Sequence, residues 1–282
     1  MKKRIISSAL ILITIFVILG FYSIWSTKKE IDNVVDWVER NDGTVEYEDV
    51  KWVEELPDFI KQYFKENRGM DIRGIHFTFN DVSDLNPLKN MFQLKSMILV
   101  ETKVSDLTPL KNMTQLQALY LISNKVTNYS FLKNMTQVQE LQLGTQFTDL
   151  SLLENMAQLQ VLYISDTNVH DLTPLKNMTQ LRELNISSNS INDLSPLKNM
   201  LQIQELDLYS TEVSDLTPIK NFLKLRTLYL TDSKVKDLTI LKNLTSLTTL
   251  EVRISQYSDD QIKDLQLSLP NLKIIQKEKY IP

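Results

Sequence analysis

The sequence predicts an α/β solenoid, a curved parallel sheet that gains one short strand per coil over about ten coils. Three observations carry this reading. A phrase best seen in VSDLTPLKNMTQLQALYLISNK, Val104–Lys125, recurs along the chain, and its anchor Leu116 has counterparts at Leu94, Val138, Leu159, Leu181, Ile203, Leu225 and Leu247. The steps between anchors are 22 residues, apart from one of 21 between Val138 and Leu159. From each anchor the chain follows L-x-x-L-x-L-x-x-N/T-x-V/I, as in Leu181, Leu184, Ile186, Asn189 and Ile191. Weaker copies lie at both ends: Ile72, Ile75, Phe77, Asn80 and Val82 open the series, and Leu269, Leu272 and Ile274 close it.

A fixed period with this leucine spacing is the signature of a leucine-rich repeat solenoid. Leucines three and then two apart place Leu184 and Ile186 on one face of a short strand, with Glu183, Asn185 and Ser187 on the other. One coil cannot bury its apolar face alone, so coils must stack on their neighbours around a continuous core. Ten strands at ~4.7–4.9 Å spacing make a sheet about 45 Å along its curve. Asp84, Asp106, Asp149, Asp171, Asp193, Asp215 and Asp237 recur once per coil, with Asn128 filling one place. Asn86, Thr108, Thr173, Ser195 and Thr217 directly precede Pro87, Pro109, Pro174, Pro196 and Pro218, the start signal of a short 3-10 turn on the convex side. The asparagines at 90, 112, 134, 155, 177, 199, 221 and 243 are expected to satisfy backbone groups where each coil bends back. The stripe Met91, Met113, Met135, Met156, Met178 and Met200 continues as Phe222 and Leu244, which reads as core filling rather than a metal site.

Before the repeats, Lys2, Lys3 and Arg4 precede Ile5–Trp25, a run of 21 residues without a charge. That is long enough to span a bilayer, so residues 1–29 are expected to be a signal anchor, or alternatively a cleaved signal peptide. The basic start places the repeats outside the cytoplasm. Residues 30–71 form a helical juxtamembrane and cap region: a short helix around Val34, Val35, Trp37 and Val38 ends near Asn41-Asp42-Gly43. A second helix is expected over Asp49–Asn67, with Trp52, Leu56, Phe59, Ile60, Tyr63 and Phe64 as its apolar face, covering the first coil as the amino-terminal cap. The repeats occupy 72–275, with 261–275 closing the stack, and 276–282 is a tail.

Composition and motifs point away from catalysis. The 282 residues carry a net charge of −4 and no cysteine, which removes disulfides and thiolate metal sites and gives no reason to expect nucleic acid. His76 and His170 lie 94 residues apart without a carboxylate pair in metal-ligand spacing. The chain lacks the P-loop, G-x-G-x-x-G, G-x-S-x-G and H-E-x-x-H motifs, so no catalytic residue, metal or cofactor is expected. The lysines at 89, 111, 133, 176, 198, 220 and 242 read as a solvated face, and the N-x-S/T sites at Asn112, Asn134, Asn177 and Asn243 follow from the repeated phrase.

The strand faces not used for packing are the candidate site. Their middle column reads His76, Ile98, Tyr120, Gln142, Tyr163, Asn185, Asp207, Tyr229, Glu251 and Lys273. Around it lie Glu140, Glu183, Glu205 and Tyr209, so four tyrosines interleave with five acidic groups. Tyrosine combines a large rigid contact with a hydrogen bond, which suits a binding surface. Exposed strands favour tyrosine in any case, so a generic strand surface is the alternative.

The phrase DLTPLKNMTQLxxLxLxxNxV/I resembles the 22-residue repeat of bacterial internalins, cell-surface proteins whose concave face binds host receptors. The resemblance covers 72–275 and implies the fold and a protein-binding mode. An immunoglobulin-like domain after the repeats and an L-P-x-T-G sorting signal are not seen, so a role in host invasion is not implied. The expected function is therefore a non-enzymatic module of the cell envelope, single-pass through residues 5–25 or secreted, that binds a protein or glycan on its concave face. Two alternatives remain: an assembly protein acting through its membrane and cap regions, and a phosphatase-type regulator, since eukaryotic phosphatase-1 regulatory proteins share the repeat length.

Overall fold

A computed structural model describes residues 29, 31–49, 70–79, 81–122 and 125–277. The segment 5–25, read above as a membrane span, lies outside the described residues. Among the described residues no helix is long and apolar enough to cross a membrane.

Each repeat contributes one strand to a single 11-stranded sheet whose spatial order is its chain order, β1 to β11. Helix α1 (31–40) precedes β1 (Thr44–Asp49), which pairs antiparallel with β2 (Met70–Thr78). All further pairings are parallel: β3 (Ser96–Val100), β4 (Ala118–Ile122), β5 (Glu140–Gln142), β6 (Val161–Tyr163), β7 (Glu183–Asn185), β8 (Glu205–Asp207), β9 (Thr227–Tyr229), β10 (Thr249–Val252) and β11 (Lys273–Gln276). Alternation along each strand puts one face on the core. Leu162, Leu184, Leu206, Leu228 and Leu250 stand in one register row and are buried together with the anchor leucines. The methionine stripe is buried from Met91 to Met200, and Phe222 and Leu244 extend it, as the core-filling reading requires.

Opposite the strands, each coil from the second onward carries a 3-10 turn, such as Thr173–Leu175 and Ser195–Leu197. The aspartate column starts it. Asp106, Asp171, Asp193, Asp215 and Asp237 each accept the backbone N–H two residues on at 2.7–2.8 Å. Bonds from the Thr or Ser hydroxyls two residues on, and then these backbone bonds, hold the carboxyls below their ordinary range. The described N-M/L-x asparagines, by contrast, are exposed, and buried backbone groups are served elsewhere. Asn189 is 4% exposed, and its Nδ2 donates to the carbonyls of Ile164, Ile186 and Ser187 at 2.6, 3.1 and 3.2 Å. Its Oδ1 accepts from the Thr167 hydroxyl at 2.8 Å. The residue just before this column is left-handed: Asp166, Ser188, Ser210 and Asp232 have φ of 53, 54, 52 and 61°. The 21-residue coil has no such residue, so the missing position is the one that makes this reversal.

The ends depart most from the sequence expectation. Val34, Val35 and Val38 of α1 are buried in the common core, and Trp37 packs edge-on against Phe77 with ring centroids 5.4 Å apart. Asp42, at φ 52°, ends the helix, and the Gly43 N–H returns to Val38 O at 3.0 Å. A Cβ on Gly43 would sit 2.4 Å from the Phe77 ring, so only glycine lets the chain pass there. Thus α1 and β1 cover the first coil. Of the helix expected over Asp49–Asn67, Asp49 ends a strand instead, and 50–67 lie outside the described residues.

At the other end, α2 (Asp259–Ser268) replaces the 3-10 turn and carries a Ser258–Gln261 capping box. The longer element shifts the register: Leu250 faces Ile274 and Glu251 faces Ile275, a step of 24 residues. Lys273 therefore stands opposite Thr249, and Ile275, not Lys273, closes the middle column. Lys242 of the lysine column pairs with Asp264 on α2, fastening this cap.

Asn189→Ala should lower stability by about 2–3 kcal/mol in urea denaturation, because it strands several buried backbone groups. Asn177→Ala, on the exposed column, should change it by less than about 0.5 kcal/mol.

Candidate protein-binding face

Register fixes which side chains share the face that packing leaves free. Tyr120, Gln142, Tyr163, Asn185, Asp207, Tyr229 and Glu251 follow one another across β4 to β10, one per strand. Glu140, Glu183 and Glu205 sit two residues earlier on β5, β7 and β8, and Tyr209 follows two residues after Asp207. The structure thus brings all nine sequence-selected residues onto one surface.

The tyrosines and carboxylates are coupled. Tyr120 Oη donates to Glu140 Oε2 and Tyr163 Oη to Glu183 Oε2, each at 2.5 Å. Tyr229 is bonded to Glu205 of the preceding coil. Partial burial, and then these hydrogen bonds and the surrounding negative charge, push the Tyr120 and Tyr163 phenols well above their ordinary range. Tyr229 moves the same way, with burial again the leading cause. These hydroxyls stay protonated donors at any physiological pH.

Two of the acids shift upward as well. Asp207 accepts from the Tyr209 backbone N–H at 2.8 Å and from Asn185 Nδ2 at 3.0 Å. Burial nevertheless pushes its carboxyl up to about 6, with Glu251 and Glu205 adding repulsion. Glu205 is raised by burial and by Glu183. Lys277 Nζ lies 3.7 Å from Glu251, whereas Glu140, Glu183, Glu205 and Asp207 form no ion pair among the described residues.

The nine residues leave out the amino-terminal part of this face, where the column begins with His76 and Ile98. Ile98, Val100 and Ile122 are half-buried there, and Phe79 is 71% exposed. The signal was present: strand positions that are polar elsewhere are apolar in these coils. His76 Nε2 lies 3.2 Å from Ser96 Oγ and 3.5 Å from Glu46, while His170 is exposed in a loop. Among the described residues no group of three or more metal-ligating side chains converges.

A family model for leucine-rich repeats, in two copies, matches residues 157–199. Among solved structures, an internalin (InlF) from Listeria monocytogenes is 32% identical, with a TM-score of 0.62 over 70% of this chain and 57% of that one. Internalin C2 from the same bacterium is 28% identical, with a TM-score of 0.61 over 64% of this chain and 80% of that one. A leucine-rich repeat protein from Leptospira interrogans, 17% identical with a TM-score of 0.58, covers 68% of this chain and 57% of its own and shares the fold alone. No curated protein matches. With the sheet and its repeating turns, these matches define a leucine-rich repeat protein, a fold typical of protein-binding modules. More particularly, the chain is internalin-like, and it spans a little over half the length of InlF.

Asp207 gives a pH test. Its folded pKa of about 6 lies above the ordinary 3.8, so between these values the folded state binds more protons than the unfolded chain. Its ionisation therefore destabilises the fold as pH rises through 6, and the penalty disappears as pH falls. The Asp207 carboxyl should titrate near 6 by NMR. Asp207→Asn, relative to the unchanged protein, should look more favourable in urea midpoints at pH well above 6 than below it.

Proposed function

We propose that this chain is a non-enzymatic binding module displayed outside the cytoplasm, which grips a protein partner on the exposed face of its sheet. The observation that carries the reading is the row of tyrosines and carboxylates crossing β4 to β10. These side chains point away from the core, so packing does not dictate them, and four of the acids sit together without a cation beside them among the described residues. Tyr120, Tyr163 and Tyr229 supply rigid contact area, and Glu140, Glu183, Glu205, Asp207 and Glu251 supply polar specificity, with Tyr209 at the margin. Display rests on the uncharged run Ile5–Trp25 and the basic residues before it. The internalins similar to this chain lend the fold precedent; the identity of the partner is this chain's own.

The test is affinity capture from membrane extracts with residues 30–282 as bait beside the Tyr120→Ala/Tyr163→Ala/Tyr229→Ala variant. A partner held by the first and lost by the second is the expected outcome. The three rings are half-buried on the sheet face, so urea denaturation of the variant is run beside the capture to show that it remains folded. Equal capture by both overturns the reading and moves the site to another face, and capture by the full chain alone points to the membrane segment and cap.

A further inference from the structure

The binding face is divided along the stack. On its amino-terminal coils Ile98, Val100 and Ile122 form adjacent half-buried apolar positions on β3 and β4, and Phe79, the residue after β2, donates its backbone N–H to Val100 O at 2.9 Å. Phe79 is 71% exposed, and its φ is 52°. The same position in other coils holds Glu101, Asp166, Ser188, Ser210 or Asp232, most of them small polar residues that tolerate this conformation better than a bulky ring. An aromatic side chain is thus kept in water, against both burial and backbone preference. From β5 onward the face turns acidic: Glu183 acts electrostatically on Tyr120, Tyr163 and Glu205, and Glu251 acts on Asp207. Those carboxylates form one field, and only Glu251 has a cation beside it among the described residues.

Resting on the proposed function above, we infer that the partner docks an extended polypeptide segment across the strands, with an apolar side chain against Phe79, Val100 and Ile122 and lysine or arginine residues over the carboxylates from Glu140 to Asp207. Charge complementarity selects this occupant. Nucleic acid, anionic lipid and sulfated glycans are repelled by the acidic half, and a neutral glycan leaves the apolar half uncovered. Arginine has the further option of stacking on the tyrosine rings. The span from β3 to β8 is five strand steps of ~4.8 Å, or about 24 Å, which an extended segment of about seven residues crosses. Glu140, on the next strand, is in register with Ala118, four residues before Ile122, so it lies ~14 Å from Ile122 and basic residues begin about four positions from the anchor.

The test uses the purified full chain and fluorescein-labelled synthetic peptides read by anisotropy. The probe carries Leu-Phe at one end followed by alternating Arg and Ser. Three controls replace Leu-Phe by Ser-Ser, replace Arg by Glu, or move Leu-Phe to the centre. The probe should bind, and each control should weaken binding at least about tenfold. Glu183→Gln/Glu205→Gln/Asp207→Asn should weaken the probe and flatten its salt dependence. Phe79→Ser/Ile122→Ser should weaken it while leaving the salt dependence intact. No anisotropy change at ~1 mM probe, or equal binding by the carboxamide variant, overturns the inference. A natural partner that is lost with the three tyrosines yet retained by the carboxamide variant also overturns it, while leaving the proposed function standing.

Discussion

Stacking of one coil on the next is the constraint from which the rest of the molecule follows. Each strand from β3 to β10 is hydrogen-bonded only to the strands before and after it, and the leucines of successive coils join one continuous buried core. A coil alone has no way to hide Leu184 and Ile186. Once stacked, it satisfies its carbonyls through the neighbouring strand or through a side chain such as Asn189, which bonds to Ile164 in the coil before it. Because strands alternate, the same stacking leaves one entire sheet face without a packing duty. Binding chemistry can occupy that face at little cost to the core.

Much of this was legible from spacing, and the limits of legibility have identifiable causes. The Asp column and the Pro positions announced the 3-10 turns because the signal is local: a carboxylate two residues before the N–H that it accepts. The methionine stripe could be assigned to the core because Phe222 and Leu244 occupy the same place. Strand β1 was missed although Val45-Glu46-Tyr47-Glu48 alternates, since its pairing with β2 is antiparallel and outside the repeat. The last coil was misread by two residues. A 22-residue step from Leu247 lands on Leu269, and only the helix Asp259–Ser268 reveals that two more residues are consumed there. A slip of two preserves which side faces the core, so the hydrophobic pattern gave no warning.

The candidate face was legible as a set of positions, and its pairings were not. Tyr120 and Tyr163 reach forward to the next coil, while Tyr229 reaches back. The register explains the difference. Two positions before the middle column, Tyr120 has Glu140 ahead and Ser96 behind, whereas Tyr229 has Thr249 ahead and Glu205 behind. A tyrosine therefore turns toward whichever neighbour offers the carboxylate, a choice that depends on two coils at once.

The energetics of that face are the reason to read it as more than a strand surface. Burial raises the Glu205 and Asp207 carboxyls, and Glu183 on the adjacent strand adds to the first while Glu251 and Glu205 add to the second. Nothing in the stacking of coils requires acids there: Val161, Thr227 and Thr249 occupy the equivalent places in other coils of the same sheet. Hydrogen bonds from Tyr229 and the Tyr209 N–H offset part of these upward shifts, but Glu183, Glu205 and Asp207 have no cation beside them among the described residues, in contrast to Asp81 and Asp232, each paired with a neighbouring Lys or Arg. A cation brought by a partner would relieve the repulsion and lower the Asp207 carboxyl from about 6, so that binding near that pH would release a proton. The same groups that slightly weaken the free protein are those that would strengthen a complex, and this opposition of stability and recognition is expected of residues kept for binding.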